Sequence, residues 1–456
     1  MILDFKIEGF KSIQDSRTIQ FKPLTILTGP NSSGKSNLLE AIAVFAQATR
    51  LPSDIRPTFQ MTLQRGEFFR YPSPAMEFIK YRKETRRPLS FDINFKLEDS
   101  EKRLLNTRSS SIGYSYLHAP TRGRREATRI FQSILLGKRE LIAVEHRSTR
   151  GTVLTRIIEP ASIRKLRAPP HGNEILLTEL LAELGRQLPR PDAKHPDEVR
   201  RSLELATAGS EVLFDKFRKV YPISAARGLI QRVRVGEGRH RGEGERVPSW
   251  VGINGQHVIE VLSLIFAKRK HSVEADKIVK WTEKFGIGKI KAGWWGEFLG
   301  SDFEDPILRV PLETALASYG ARQLLTMITQ MFWSKRGDVI MVEEPEISLH
   351  PENQVLLHEL FSEAISQGKQ IICSTHSPFF VLALSKIVKR RLLALDKIAV
   401  YHVEKREDGT HAKALKLNKH GFIVSGIPSF MKVEEDLFQD WSESLEESSS
   451  GIPEEG

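Results

Sequence analysis

Apolar and polar positions divide the chain into two well-patterned ends and a mixed middle. Residues 2–7, 18–21 and 24–28 read as short strands, the last of them apolar and β-branched. A glycine-rich turn follows. A helix is then predicted over about 35–48, with Leu38, Leu39, Ile42 and Phe45 at helical spacing. Between about 50 and 300 the character is mixed. The run from Phe91 to Leu97 alternates like a half-buried strand, and 141–144 and 153–158 look similar. Helices are expected at about 173–188 and 197–220, split by Pro189 and Pro191, and 232–246 reads as an exposed loop rich in Gly, Arg and Glu. Strong order returns with a helix over 321–333, a strand over 339–342, a turn and helix through 345–365, and a strand over 370–374. Residues 392–403 read as strand material, and an acidic, serine-containing tail over 442–456 is expected to be mobile. No repeat of solenoid or propeller period is present.

Three strand ends carry chemistry. Gly29-Pro30-Asn31-Ser32-Ser33-Gly34-Lys35-Ser36 fits G-x-x-x-x-G-K-[ST], with a strand before it and a helix after it, as the motif requires. Glycines let the backbone curl so that amide N–H groups point at phosphate oxygens, and the helix N-terminus adds its dipole. Lys35 is expected to reach the β- and γ-phosphates, and the Ser36 hydroxyl to bind Mg²⁺. The second element, Val339-Ile-Met-Val-Glu343-Glu344-Pro345, is an apolar strand that ends in two acids, at the edge where open α/β sheets hold ligands. Glu343 is assigned toward Mg²⁺ and Glu344 toward the attacking water as base. Ser374-Thr375-His376-Ser377-Pro378 follows a third apolar strand, where His376 can hydrogen-bond a γ-phosphate.

Composition sets the class. The chain has 456 residues, of which 40% are apolar, 27% charged and 8% aromatic, values that exclude collagen, a disordered tail protein and a disulfide-stapled miniprotein. A single cysteine, Cys373, can form neither an internal disulfide nor a thiolate zinc site. The opening residues lack the pattern of a secretory signal, and the apolar run 258–267, with Glu260 inside it, falls short of the roughly 20 residues that span a bilayer. A soluble cytoplasmic protein is therefore expected. The formal net charge is +11, and residues 80–167 hold 21 basic and 9 acidic side chains. Residues 434–456 hold nine acidic ones and no basic one. The basic middle fits a nucleic-acid partner through counterion release, and equally a solvated face. Arg122, Arg124, Arg125 and Arg129 could also seat an acidic partner or the acidic tail.

The order of phosphate loop, long intervening segment, strand-Glu343-Glu344-Pro345-Glu346 with Leu349-His350-Pro351, and strand-Ser374-Thr375-His376 resembles the ABC-type ATPases of the RecF, SMC and OLD group. The opening Gly9-Phe10-Lys11-Ser12 and the run 23–37 match as well. The resemblance covers about 1–48 and 312–382. It implies an α/β P-loop head, with a mostly parallel core sheet, an antiparallel N-terminal β lobe and a mixed α/β insertion. The boundaries expected are 1–100 and 301–435 for the two parts of the head, 101–300 for the insertion and 436–456 for the tail. It also implies ATP and Mg²⁺ as cofactors, with Asn37 and Lys11 joining the phosphate loop in nucleotide binding. Heads of this group bind ATP between two protomers, and the segment matching their signature is Ala317-Ser318-Tyr319-Gly320-Ala321-Arg322-Gln323. Only Ser318 and Gly320 align with it, and capping of its own helix by Ser318 is the alternative. His350 falls where the group makes cross-dimer contacts, and Gln60 or Gln64 is expected to join the two lobes.

OLD nucleases continue into a metal domain that needs a D-x-D pair, and this chain contains none. The H-E-x-x-H and G-x-S-x-G motifs are missing too. The expectation is an ATP-hydrolysing homodimer or higher oligomer, with no membrane partner. It couples turnover to nucleic acid, DNA above all, or to an effector protein such as a nuclease, and does not itself cut. The alternatives are an ATP-gated scaffold without hydrolysis and a transporter-type nucleotide-binding subunit.

Overall fold

The computed structural model describes residues 1–48, 88–120, 128–149, 152–161, 196–234, 248–427, 430, 436–437 and 439–442. The helix expected at 173–188, the tail from 443 onward, Gln60, Gln64, Arg122, Arg124 and Arg125 lie outside them. In chain order the elements begin with β1 (Ile2–Phe10), β2 (Ile13–Asp15), β3 (Ile19–Gln20), β4 (Leu24–Thr28) and α1 (Lys35–Ala48). Then come β5 (Leu89–Lys96), α2 (Asp99–Leu104), β6 (Ser111–Pro120), β7 (Thr128–Leu136), β8 (Arg139–Thr149), β9 (Thr152–Glu159), α3 (Pro196–Arg218), β10 (Val220–Ile223) and β11 (Val233–Arg234). The remainder comprises α4 (Val258–Ala267), α5 (Ser272–Lys284), β12 (Lys289–Trp295), β13 (Phe298–Glu304), β14 (Pro311–Glu313), α6 (Tyr319–Trp333) and β15 (Val339–Glu343). It closes with α7 (Pro351–Ser366), β16 (Gln370–Thr375), α8 (Pro378–Leu382), α9 (Leu384–Lys389), β17 (Ile398–Arg406) and β18 (Gly409–Leu415). None of the helices among the described residues is long and apolar enough to cross a membrane.

These elements form the expected α/β architecture. An antiparallel sheet runs β2-β1-β5-β6-β7-β8-β9, with β3 also on β1. A second sheet, ordered β10-β15-β16-β4-β17-β18, is parallel except for its last pair. Parallel strands covered on both faces read as continuous apolar runs, and β4, β15 and β16 do so. Because side chains alternate across a strand, the two faces feed two cores. Met341, Ile372 and Leu27 pack with the antiparallel sheet, α1 and α3. Ile340, Val342, Ile371, Cys373, Leu24 and Ile26 pack with α4 to α9. A smaller sheet of β11 to β14 lies beside the second core.

The segment expected as an insertion is woven into both main sheets: β6 to β9 extend the antiparallel sheet, and β10 adds an edge to the parallel one. Two predicted elements differ. The strand expected over 392–403 begins only at Ile398, because Arg391 takes a left-handed turn (φ 57°) and residues 395–397 form a 3₁₀ turn. At 232–246, read as loop, Val233 and Arg234 pair with Leu299 and Phe298, and residues 235–247 lie outside the described residues.

Gln370, fully buried at the start of β16, stitches the sheets together. Its amide oxygen accepts from the Ile2 N–H at 2.7 Å, and its NH₂ group donates to the Ile2 and Lys22 carbonyls at 2.9 and 3.1 Å. Gln370→Leu keeps the volume and strands these buried backbone groups, each worth about 1–3 kcal/mol when left unpaired. The variant is therefore expected to unfold at clearly lower urea concentration than the wild type, followed by far-UV circular dichroism.

Candidate functional site

Strand register sets the site. Parallel pairing places Glu343 beside Ser374 and Thr375 beside Thr28, so β15, β16 and β4 end at one level. The turns leaving them start with Glu344, His376 and Gly29. This is the carboxyl edge where open α/β sheets take ligands. A cavity of about 600 Å³ lies there, lined by Ser12, Asn31, Ser32, Ser33, Gly34, Lys35, Ser36, Asn37, Glu344, His376 and Lys405.

The loop after β4 curls because its glycines can. Gly34 sits at φ 103°, and a Cβ there would lie 2.2 Å from the Thr410 hydroxyl; one at Gly29 (φ 147°) would lie 2.1 Å from the Val403 carbonyl. The loop is thus pressed onto the β17–β18 hairpin. Thr410 donates to the Ser33 carbonyl at 2.9 Å and shares a 2.7 Å hydrogen bond with Ser12, which in turn accepts from Asn37 at 2.6 Å. Lys35, at the start of α1, donates to the carbonyls of Gly29 and Pro30 at 3.0 and 2.8 Å and to the Ser33 hydroxyl at 3.3 Å. Burial pushes its pKa down to about 8, against the pull of Glu344 and Glu346.

Glu344 has a left-handed backbone (φ 44°), which costs on the order of 1 kcal/mol for a residue with a Cβ. Its N–H donates to the Ser374 carbonyl at 2.9 Å, and its carboxylate lies 3.8 Å from His376 Nε2. Burial and the Lys35 charge lower the His376 pKa, with Glu344 opposing them. A neutral ring at His376 therefore prevails at pH 7. Glu346 is buried with a raised pKa caused by desolvation; it accepts from the Thr375 hydroxyl at 2.7 Å and the His376 amide at 2.8 Å. One carboxylate thereby ties the turn after β15 to the turn after β16.

Other residues singled out in the sequence sit elsewhere. Glu343 is not among the lining residues; its carboxylate accepts from the Ala225 N–H at 3.4 Å. Lys11 forms an ion pair with Glu40 of α1 and does not line the cavity. Desolvation raises the Glu40 pKa, opposed by Lys11. Ser318 caps α6, accepting from the Ala321 N–H at 3.3 Å, and is exposed outside the cavity. Gly320 packs so closely on the Ser348 carbonyl that a Cβ would lie 2.5 Å from it. His350 is exposed at the start of α7. Arg129 is half-exposed and lies 3.7 Å from Glu145. Sequence reading missed Thr410, Ser12 as a loop support, Lys405 and the tie made by Glu346.

The arrangement suits a magnesium nucleotide. Among the described residues, no group of three or more His, Cys, Asp or Glu could hold a metal by itself. Mg²⁺ bound with a nucleotide takes one or two protein oxygens plus phosphate oxygens, and Ser36 at the cavity supplies such an oxygen. The glycine curl, into which no Cβ fits, leaves backbone amides room to approach phosphate oxygens.

Residues 1–161 and 262–381 match the AAA ATPase domain family, AAA_15. None of the curated proteins matches the chain. Among solved structures it is similar to the SmcHead bound to the C-winged helix domain of ScpA, at 12% identity and TM-score 0.47, over 91% of this chain and 98% of that one. It is also similar to an Smc head domain with an extended coiled coil bound to the C-terminal domain of ScpA from Pyrococcus furiosus (12% identity, TM-score 0.45, 96% and 99% covered). A third similar structure is the SMC head domain from Thermotoga maritima (13% identity, TM-score 0.39, 91% and 99% covered). The family match takes in the phosphate loop, the acids Glu343 and Glu344, His376, and more than half of all residues; the chain belongs to the AAA ATPase domain family.

Proposed function

We propose that the protein binds ATP with Mg²⁺ in this cavity and hydrolyses it, and that two copies close around the nucleotide. The observation that carries the reading is the shared cavity in which Lys35, Ser36, Glu344 and His376 meet. Lys35 and the loop amides hold the phosphates, and Ser36 and Glu343 are the residues that would hold Mg²⁺. The metal, when bound, offsets phosphate charge. Glu344 orients the attacking water and takes its proton, and neutral His376 donates a hydrogen bond to the terminal phosphate. His376 and Glu344 face one another, so the same pair registers whether that phosphate is in place.

Ser318 and the N-terminus of the 15-residue α6 serve the second copy's nucleotide, flanked by the exposed Leu316 and Tyr319. Closure and opening of this pair then drive an effector protein or a nucleic-acid contact made by the basic segment. Scaffold and transporter roles remain the competing readings, and the Glu344 test below separates the first from hydrolysis.

Lys35→Ala removes the fixed cation. ATP affinity is expected to fall at least about tenfold, as loss of one charge-assisted hydrogen bond of about 1.5–3 kcal/mol implies. Calorimetry showing wild-type affinity would refute the assignment. Glu344→Gln keeps binding and loses about 10²–10⁴-fold in turnover, leaving an ATP-bound dimer visible by light scattering; wild-type phosphate release would place the base elsewhere.

A pH dependence follows from Lys35. Its pKa is about 8 because burial disfavours the ammonium, and a bound triphosphate raises it again. Below pH 8 the lysine is already charged and affinity is flat. Above pH 8 binding must take up a proton, so affinity weakens by up to about tenfold per pH unit. Titrations at pH 9 in buffers of different ionisation heat should show that uptake, and equal apparent heats in all of them would contradict it.

A further inference from the structure

Arg227 follows β10, whose pairing puts Ile223 beside Val342 at the end of β15. Its guanidinium is fully buried. Nη1 donates to the Ser224 and Glu343 carbonyls at 3.2 and 2.7 Å, and Nη2 to the Glu344 and Pro345 carbonyls at 2.9 and 3.1 Å. Three successive carbonyls of the turn therefore converge on one side chain. Normally such a turn would direct its carbonyls toward solvent or its own amides. A planar fork of five donors serves these four carbonyls from two nitrogens, whereas the ammonium of lysine has three donors on one nitrogen in a different geometry.

The residue at the centre of this grip is Glu344, in its left-handed conformation. A strained backbone persists where its surroundings over-determine it, and Arg227 supplies that constraint from below. The charge is itself held in place. Burial lowers its pKa to about 10, while Glu346 and Glu344 favour the charged form. The Arg227 loop also rests on α6: Gln323 donates to the Ala225 carbonyl at 3.3 Å, and Gly228 packs against Gln323 and Arg322.

We propose that Arg227 is the positioning residue of Glu344: its bonds to the carbonyls of residues 343–345 lock the left-handed peptide that turns the Glu344 carboxylate into the cavity. It touches no phosphate and acts only through that turn. Because the guanidinium loop is seated on α6, displacement of the α6 N-terminus reaches Glu344 through this contact. The turnover consequence rests on the proposed hydrolysis; the geometric one does not.

The test uses the full chain with Arg227→Lys, which keeps a buried cation beside Glu346 but loses the fork, and Arg227→Met as the stronger lesion. Amide hydrogen exchange is expected to rise at least tenfold at Glu344, whose N–H bonds to the Ser374 carbonyl of β16, and at Ile347, whose N–H bonds to the Glu344 carbonyl, and to stay unchanged over 35–40 in α1. In both variants kcat should fall at least tenfold while KM for ATP stays within twofold, with Lys the milder. Unchanged exchange at 344 and 347 in folded Arg227→Lys overturns the proposal, whatever the turnover. So does loosened exchange with wild-type kcat, since Glu344 would then need no lock. Should the wild type hydrolyse no ATP, the proposed function falls and the exchange result still decides the role of Arg227.

Discussion

Everything at the candidate site depends on three parallel strands ending at one level. The β4–β16 and β16–β15 pairings put Thr28 beside Thr375 and Glu343 beside Ser374, so the three strand ends lie within one residue of a common level. A slip of one residue in either ladder would turn each apolar strand inside out, exchanging the faces that serve the two cores. The fit of the side chains on each face to its own core therefore fixes the relative height of Gly29, Glu344 and His376. Packing of Ile340, Val342, Ile371 and Cys373 on one side and Met341 and Ile372 on the other acts at the chemistry without touching it.

Around that edge the structure uses polar groups in two ways. Some build the cavity wall, as the loop amides and Lys35 do. Others hold the wall in shape from behind: Thr410 and Ser12 under the phosphate loop, Glu346 between two turns, Gln370 between two sheets. Thr410, Glu346 and Gln370 of the second set are buried and bonded across turns and sheets, which favours one geometry over many.

What could be read from the sequence follows from this division. The phosphate loop, Glu344 and His376 were legible as cavity-lining positions because each is a local pattern, an apolar strand followed closely by a particular residue. The supports were not, because their meaning lies in distant pairings. Thr410 meets Ser33 across 377 residues, and Arg227 meets Glu344 across 117. Neither has a neighbour in sequence that marks it. Lys11 shows the opposite case, since a basic residue in a family-like stretch turned out to be satisfied by Glu40. Sheet membership was only partly legible. A four-residue apolar run such as Val220–Ile223 carries no sign of which edge it will join.

The central position of β4 has a consequence for how the protein comes to exist. Its two neighbours, β16 and β17, begin at residues 370 and 398, so a chain emerging from the ribosome presents the apolar strand Leu24–Thr28 and the loop beyond it long before either partner has been synthesised. Closing so large a loop is slow, and unpaired apolar strands invite intermolecular pairing meanwhile. Nascent chains of this protein thus carry their nucleotide loop in an unfinished sheet until residues 370–406 have been made, a stretch of synthesis in which the exposed strand has no native neighbour to pair with.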